Sequence, residues 1–182
     1  AHGIALQWAS MAFMIPLGLG QAATVRVGVA HGQGDHAGLV RAAITVLIIA
    51  AAASIIGSII FAAIPQVLAR LFLDVSLPEA PEVLAYAGPL IVVAGLFQFV
   101  DGLQAIASGL LRGLKDARVP MVMALIAYWP IGFFLAWAFA FPLGFGGLGI
   151  WYGFLVGLAA AAAMLCARFY ILVRREGATA GA

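Results

Sequence analysis

PLIVVAGLFQFVDGLQAIASGLL, from Pro89 to Leu111, decides how this chain is read. A single charge, Asp101, stands within it. The stretch is long enough to cross a bilayer, because about 20 mostly apolar residues match a hydrocarbon core about 30 Å thick. A carboxylate near the centre of such a span costs about 2.5–3.5 kcal/mol on insertion scales. Groups this unfavourable persist where they face protein or a wet cavity, and there they usually handle an ion or a proton. Transport, rather than catalysis, is the class of function this implies.

The composition agrees. Of the 182 residues, 65% are apolar and 9% charged. A soluble domain carries roughly a quarter charged residues. Several further runs exceed the ~18 apolar residues that mark a spanning helix. The chain is therefore an integral, multi-pass membrane protein in contact with the lipid bilayer. Its formal net charge of +2 gives no reason to expect nucleic acid as a partner. The lone cysteine, Cys166, excludes an intrachain disulfide and is expected to serve packing. The opening AHGIALQWAS lacks the basic start of a signal peptide and has no initiator Met. With a first span already under way at residue 1, the chain is expected to be a piece of a longer protein.

The fold class is all-α: a polytopic bundle of five membrane helices. They are expected at about 1–29, 37–64, 82–111, 120–141 and 149–173. Residues 1–176 form the partial lobe, and 177–182 are expected to be a disordered tail. The turn HGQGDH separates the first two helices. Pro65 is expected to end the second. The connection from Pro65 to Pro81 holds Arg70, Asp74 and Glu79, and its QVLARLFL part is amphipathic enough to lie along the membrane surface. RGLKDARV leads to Pro120, suited to the first position of the fourth helix. PLGFGG turns into the fifth. Pro16, Pro89 and Pro130 fall inside spans, where a missing N–H can kink a helix. Small residues are frequent in the spans, which lets membrane helices approach closely. No short-period repeat stands out.

The basic residues orient the bundle. Arg26 and Arg41 flank the first loop, Arg112, Lys115 and Arg118 fill the third, and Arg168, Arg174 and Arg175 lie towards the C-terminus. Arg70 alone falls on the other side. Since cytoplasmic loops carry the Lys/Arg excess, the C-terminus is expected in the cytoplasm and the protein in the inner (cell) membrane.

On the third helix, Gln98, Asp101, Gln104 and Ser108 follow one another at i, i+3, i+6 and i+10. This spacing is expected to make a polar stripe in a greasy helix, with Asp101 and Gln98 holding a proton or cation. A carboxylate in a poorly hydrated cavity gains from a proton or a sodium ion, and a cationic substrate competes for the same charge. The bland alternative is a protonated acid bonded to a neighbouring helix. Gln7, Met11 and Gln104, with the aromatic pair Tyr128 and Trp129, are the candidates for a substrate cavity, Met because it adapts and aromatics because they hold cations by cation–π contact. Ordinary core packing is their alternative. Trp151 and Tyr152 suit an interfacial belt. No His, Cys and Asp fall at metal-ligand spacing, so neither a metal, a cofactor nor an enzyme is expected. The glycines near Gly144 precede no phosphate-binding element.

Three segments resemble the C-terminal lobe of the multidrug and toxic compound extrusion (MATE) family. MIPLGLGQAATVRVGVAHGQGD, Met14 to Asp35, is similar to that family's eighth helix. FQFVDGLQAIASGLLRGLKD, Phe97 to Asp116, is similar to the tenth, whose cation-linked aspartate maps onto Asp101. AYWPIGFFLAWAF and GLGIWYGFLVGLAAAAAML are similar to the last two. The resemblance implies five helices of one six-helix lobe in a twelve-helix transporter. It implies as partners the missing N-terminal lobe and a preceding helix that supplies an acid beside Asp101. Phe97 stands where the family commonly has a Tyr. The implied function is a proton- or sodium-coupled antiporter exporting cationic amphipathic compounds. A lipid-linked precursor flippase of the same superfamily and a non-transporting assembly subunit remain as alternatives.

Overall fold

The computed structural model describes residues 1–73, 76 and 78–180. Every regular element among them is helical: α1 (His2–Gly32), α2 (His36–Ala63), α3 (Pro65–Arg70), α4 (Ala80–Gly113), α5 (Arg118–Ile126), a π-helical segment (Ala127–Phe133), α6 (Phe134–Ala140) and α7 (Gly146–Ala180). α5, the π segment and α6 form one continuous span, so five helices are long and apolar enough to cross a membrane. Their apolar residues face outward as well as inward. Ile48, Ile56, Met121 and Phe141 are all more than half exposed, as expected where lipid replaces water as the solvent.

Three expectations about helix ends need correction. Pro65 does not merely stop α2; it opens α3, where its missing N–H is one of the first-turn donors that lack partners anyway. α3 also packs into the bundle, burying Leu68 and Ala69 against α4. Pro120 sits two residues inside α5, which starts at Arg118. The tail is not frayed at residues 177–180, because α7 runs to Ala180. Its last turns are held from the α1–α2 junction: the His36 ring Nε2 lies 3.0 Å from the Val173 carbonyl, and His31 Nδ1 lies 3.2 Å from Glu176 Oε1. Asp74 and residues 181–182 lie outside the described residues.

α4 is the central post, packing against α1, α2, α3 and α7. Here a repeat emerges that the linear pattern hides. Gly88, Gly95, Gly102 and Gly109 recur at every seventh position and are all buried. Seven residues make almost two helical turns, so these glycines share one face. α2 and α1 lie in this seam. A Cβ at Gly95 would stand 3.0 Å from Phe61 Cβ, and one at Gly102 would stand 3.2 Å from Pro16 Cβ. At Gly109 it would run into the Gly20 backbone. Hydroxyls close the seam. Ser58 Oγ donates to the Gly95 carbonyl at 2.6 Å, and Thr24 Oγ1 lies 2.9 Å from the Gly109 carbonyl and 3.0 Å from that of Gly20. Packing and such bonds associate helices where lipid removes the hydrophobic drive.

The two ends of the bundle differ in chemistry. At one end Arg168 Nε donates to Asp116 Oδ2 at 2.8 Å, joining α7 to the α4–α5 loop. Asp35 caps α2 by accepting from the Gly38 N–H at 2.8 Å. At the other end Trp8 Nε1 donates to the Leu68 carbonyl at 3.0 Å, and Trp151 Nε1 donates to His2 Nδ1 at 3.2 Å. The Asp116 side chain is only 15% exposed. Asp116→Ala should therefore lower stability by about 1–3 kcal/mol, the usual effect of stranding a partly buried charged donor. The check is thermal melting in detergent; an unchanged midpoint would show the pair to be idle.

Candidate functional site

Asp101 lies on α4 next to the glycine seam but not in it. Gly102 faces Pro16 and Ser54. Asp101, about 100° round the helix, turns away from α2. One turn earlier on that side, Phe97 meets the Trp151 ring of α7 edge-on, with centroids 5.5 Å apart. Asp101 is partly buried, and Tyr128 of the π segment lies within electrostatic range of its carboxylate. Among the described residues no Lys, Arg or His lies within ion-pair distance of Asp101. None forms a group of three His, Cys, Asp or Glu able to hold a metal ion.

Pro130 explains why Tyr128 sits on irregular helix. Without an N–H, Pro130 cannot close the α-helical bond to the carbonyl four residues back, and the turn widens to π geometry over Ala127–Phe133. Such segments occur frequently at functional sites. The widened turn leans on α7, with Gly132 against Gly157.

The polar stripe expected on α4 is not one surface. Each step of three residues drifts about 60° around a helix. Gln98 therefore points into the seam while Asp101 and Gln104 turn progressively away. Gln104 Nε2 reaches Ser108 Oγ at 3.5 Å, within the same helix. The Gln98 side chain is 6% exposed and rests over Gly57 of α2, where a Cβ would stand 2.5 Å from Nε2. Its Nε2 has no hydrogen-bond partner. Leaving a buried amide donor unpaired costs about 1–3 kcal/mol. Gln98 borders a cleft of about 270 Å³ between α1 and α2, together with Met11.

The other cavity candidates do not converge. Gln7 is exposed on α1, and Trp129 is 66% exposed and stacks at a tilt on Phe133. Tyr128 lies apart from Met11, which borders the cleft beside Gln98. Around Gln98 the structure adds residues that the sequence did not single out: Trp8, Phe61 and Ser54. A signal for them exists, because Ser54, Gly57, Ser58 and Phe61 fall at i, i+3, i+4 and i+7, one face of α2.

Comparison with known proteins covers the same residues. The family model described as MatE matches residues 1–138. The chain is 64% identical over 180 residues to a probable multidrug resistance protein NorM of Agrobacterium fabrum, covering 99% of this chain and 39% of that relative. It is 64% identical over 182 residues to the probable NorM of Rhizobium meliloti, covering 100% of this chain and again 39% of the relative. The chain thus spans about two fifths of the length of these curated relatives. Among solved structures, it superposes on the crystal structure of the eukaryotic MATE transporter AtDTX14 with a TM-score of 0.82 and 27% identity, covering 98% of this chain and 40% of that one. An inward-facing multidrug resistance MATE family transporter superposes with a TM-score of 0.86 at 16% identity, covering 96% and 39%, a likeness of fold alone.

Proposed function

This chain belongs to the MatE family, and from that premise we propose that it forms five helices of a cation-coupled multidrug antiporter, working with a further lobe and a further helix that complete the transporter. Asp101 carries the coupling ion, a proton or sodium. The substrates are cationic amphipathic compounds, which bind more weakly once the carboxylate is neutralised. The C-terminus faces the cytoplasm, in keeping with the eight basic residues at that end. The observation that carries this reading is the isolation of Asp101: a partly buried carboxylate in a span, with no cation among the described residues within ion-pair distance to neutralise it. An acid without a fixed counter-charge is free to load and release a mobile one.

One acid serves both fluxes when ion and substrate exclude each other. Loading from one side and release to the other then requires the lobes to rock around the site, as transporters of repeated architecture do. The test uses membrane vesicles bearing the complete transporter and the fluorescent cation ethidium. Dissipating either the proton gradient with a protonophore or the sodium gradient with a sodium ionophore should stop ethidium extrusion. Extrusion that survives both, and runs on ATP alone, refutes the assignment.

A further inference from the structure

Two histidines of the α1–α2 junction grip the last turns of α7, and a proton affects them differently. His36 Nε2 lies 3.0 Å from the Val173 carbonyl. A carbonyl only accepts, so Nε2 must carry the hydrogen, and it can do so in both the neutral and the charged ring. The ring is seated beside Gly177, where a Cβ would stand 2.9 Å from Nε2. His36 is thus a peg that holds whatever its charge. His31 Nδ1 lies 3.2 Å from Glu176 Oε1. A neutral His31 ring can only donate a hydrogen bond to that carboxylate, whereas a charged ring also forms an ion pair with it. His31 further occupies the last turn of α1, where the unpaired carbonyls favour a cation. Other charges surround the junction. On α7, the Arg174 guanidinium lies over the Tyr170 ring, 5.3 Å from its centroid, and Arg175 follows. In the turn, Asp35 is engaged by the Gly38 N–H. Arg112 and Lys115 stand at and just beyond the end of α4, which meets α1 at Val27. Arg26 and Arg41 border the α1–α2 cleft, which α7 does not line. The Glu176 carboxylate in contact with His31 outweighs these cations, whose fields salt screens over about 8–10 Å.

We propose that this junction is a pH-sensitive latch: acid charges His31, which draws the end of α7 onto the α1–α2 turn through Glu176 and stiffens that end of the bundle. Histidine is the side chain whose charge ordinarily changes between about pH 5 and 8, while a carboxylate ordinarily keeps its charge down to about pH 4. Docking and proton uptake favour each other, so the latch tightens as pH falls through the histidine range and slackens as it rises. The place suits a tie. α7 packs on α4 and on the preceding span, but an apolar groove of about 490 Å³ lies between it and α2. His36 and Val173 close one end of that groove. With this end in the cytoplasm, as proposed above, the signal is cytoplasmic acid. The contacts lie wholly within this chain and involve neither Asp101 nor an ion gradient, so the latch stands or falls apart from the coupling of efflux.

The test is hydrogen–deuterium exchange of the complete transporter in lipid nanodiscs, read by peptide mass spectrometry on the backbone amides after Val173 and corrected for the intrinsic effect of pH on exchange. These amides should exchange about threefold more slowly at about pH 6 than at about pH 8, the size expected of a partly exposed ion pair. Glu176→Gln keeps an acceptor for the ring but removes the charge, so it should exchange at both pH values as the unaltered protein does at the higher one. His31→Gln should likewise lose the pH dependence. His36→Ala, which removes the peg, should exchange faster at both. Raising salt to about 1 M should flatten the response of the unaltered protein, because screening then reaches down to about 3 Å. Should a variant fail to fold, the ratio in the unaltered protein at low and high salt still decides. Equal exchange at the two pH values, or a pH dependence that survives Glu176→Gln, overturns the proposal.

Discussion

Asp101→Asn is expected to abolish ion-driven efflux while leaving the protein at its normal level in the membrane. Asparagine keeps the size and polarity of the side chain but cannot take on a charge. The structural alternative predicts the opposite pattern. An acid that only braces a neighbouring helix carries an insertion penalty of about 2.5–3.5 kcal/mol that asparagine largely removes, so the variant would be as stable or more so and equally active. In the transporting reading, extrusion falls by at least about tenfold, to background, because a step that loads the ion is gone rather than slowed. Asp101→Glu keeps the charge on a longer arm and should retain partial activity. The measurements are ethidium extrusion and membrane abundance, taken together. Full extrusion in the asparagine variant at normal abundance removes Asp101 from the mechanism. Tyr128→Phe offers a milder probe, since it deletes a phenol hydroxyl within electrostatic range of the carboxylate without changing the ring.

Hydropathy carried most of the architecture. Five spans, their order and the clustering of basic residues at one end all follow from side-chain partition between lipid and water, a property each residue bears alone. What the chain concealed depends on pairs of residues. The helix from Gly146 extends past its expected end because His31 and His36, far away in sequence, hold Val173 and Glu176. The seven-residue glycine interval on α4 lies in plain view, yet a glycine reads as a seam only once a second helix is known to lie against it. Gln98 and Asp101 share a stripe on a helical wheel, but the drift of the helix gives one to the α1–α2 cleft and the other to the α7 side. Pro130 marks a kink in the sequence; that the widened turn seats against Gly157 of another helix does not show there.

Gly153→Leu is expected to unseat the last two spans from each other. Gly149, Gly153 and Gly157 recur at four-residue intervals along α7 and bring its backbone against the preceding span. A Cβ at Gly153 would fall on the Ala136 backbone, and one at Gly157 would stand 2.7 Å from the Gly132 Cα. Flexible side chains can step aside from such contacts; main chain cannot. The helices must part, and parting forfeits dispersion contacts along their whole length. Overpacking a close-fitted interior typically costs about 1–3 kcal/mol even where side chains absorb part of it, and backbone collision lies at or above the top of that range. The expected readout is loss of the monodisperse peak in size-exclusion chromatography of the detergent-solubilised protein after mild heating, with Gly153→Ala intermediate. Gly18→Leu is the control, because nothing lies within 4 Å of the position its Cβ would take. Were Gly153→Leu to melt like the control, α7 would not be seated on the Ala127–Ala140 stretch.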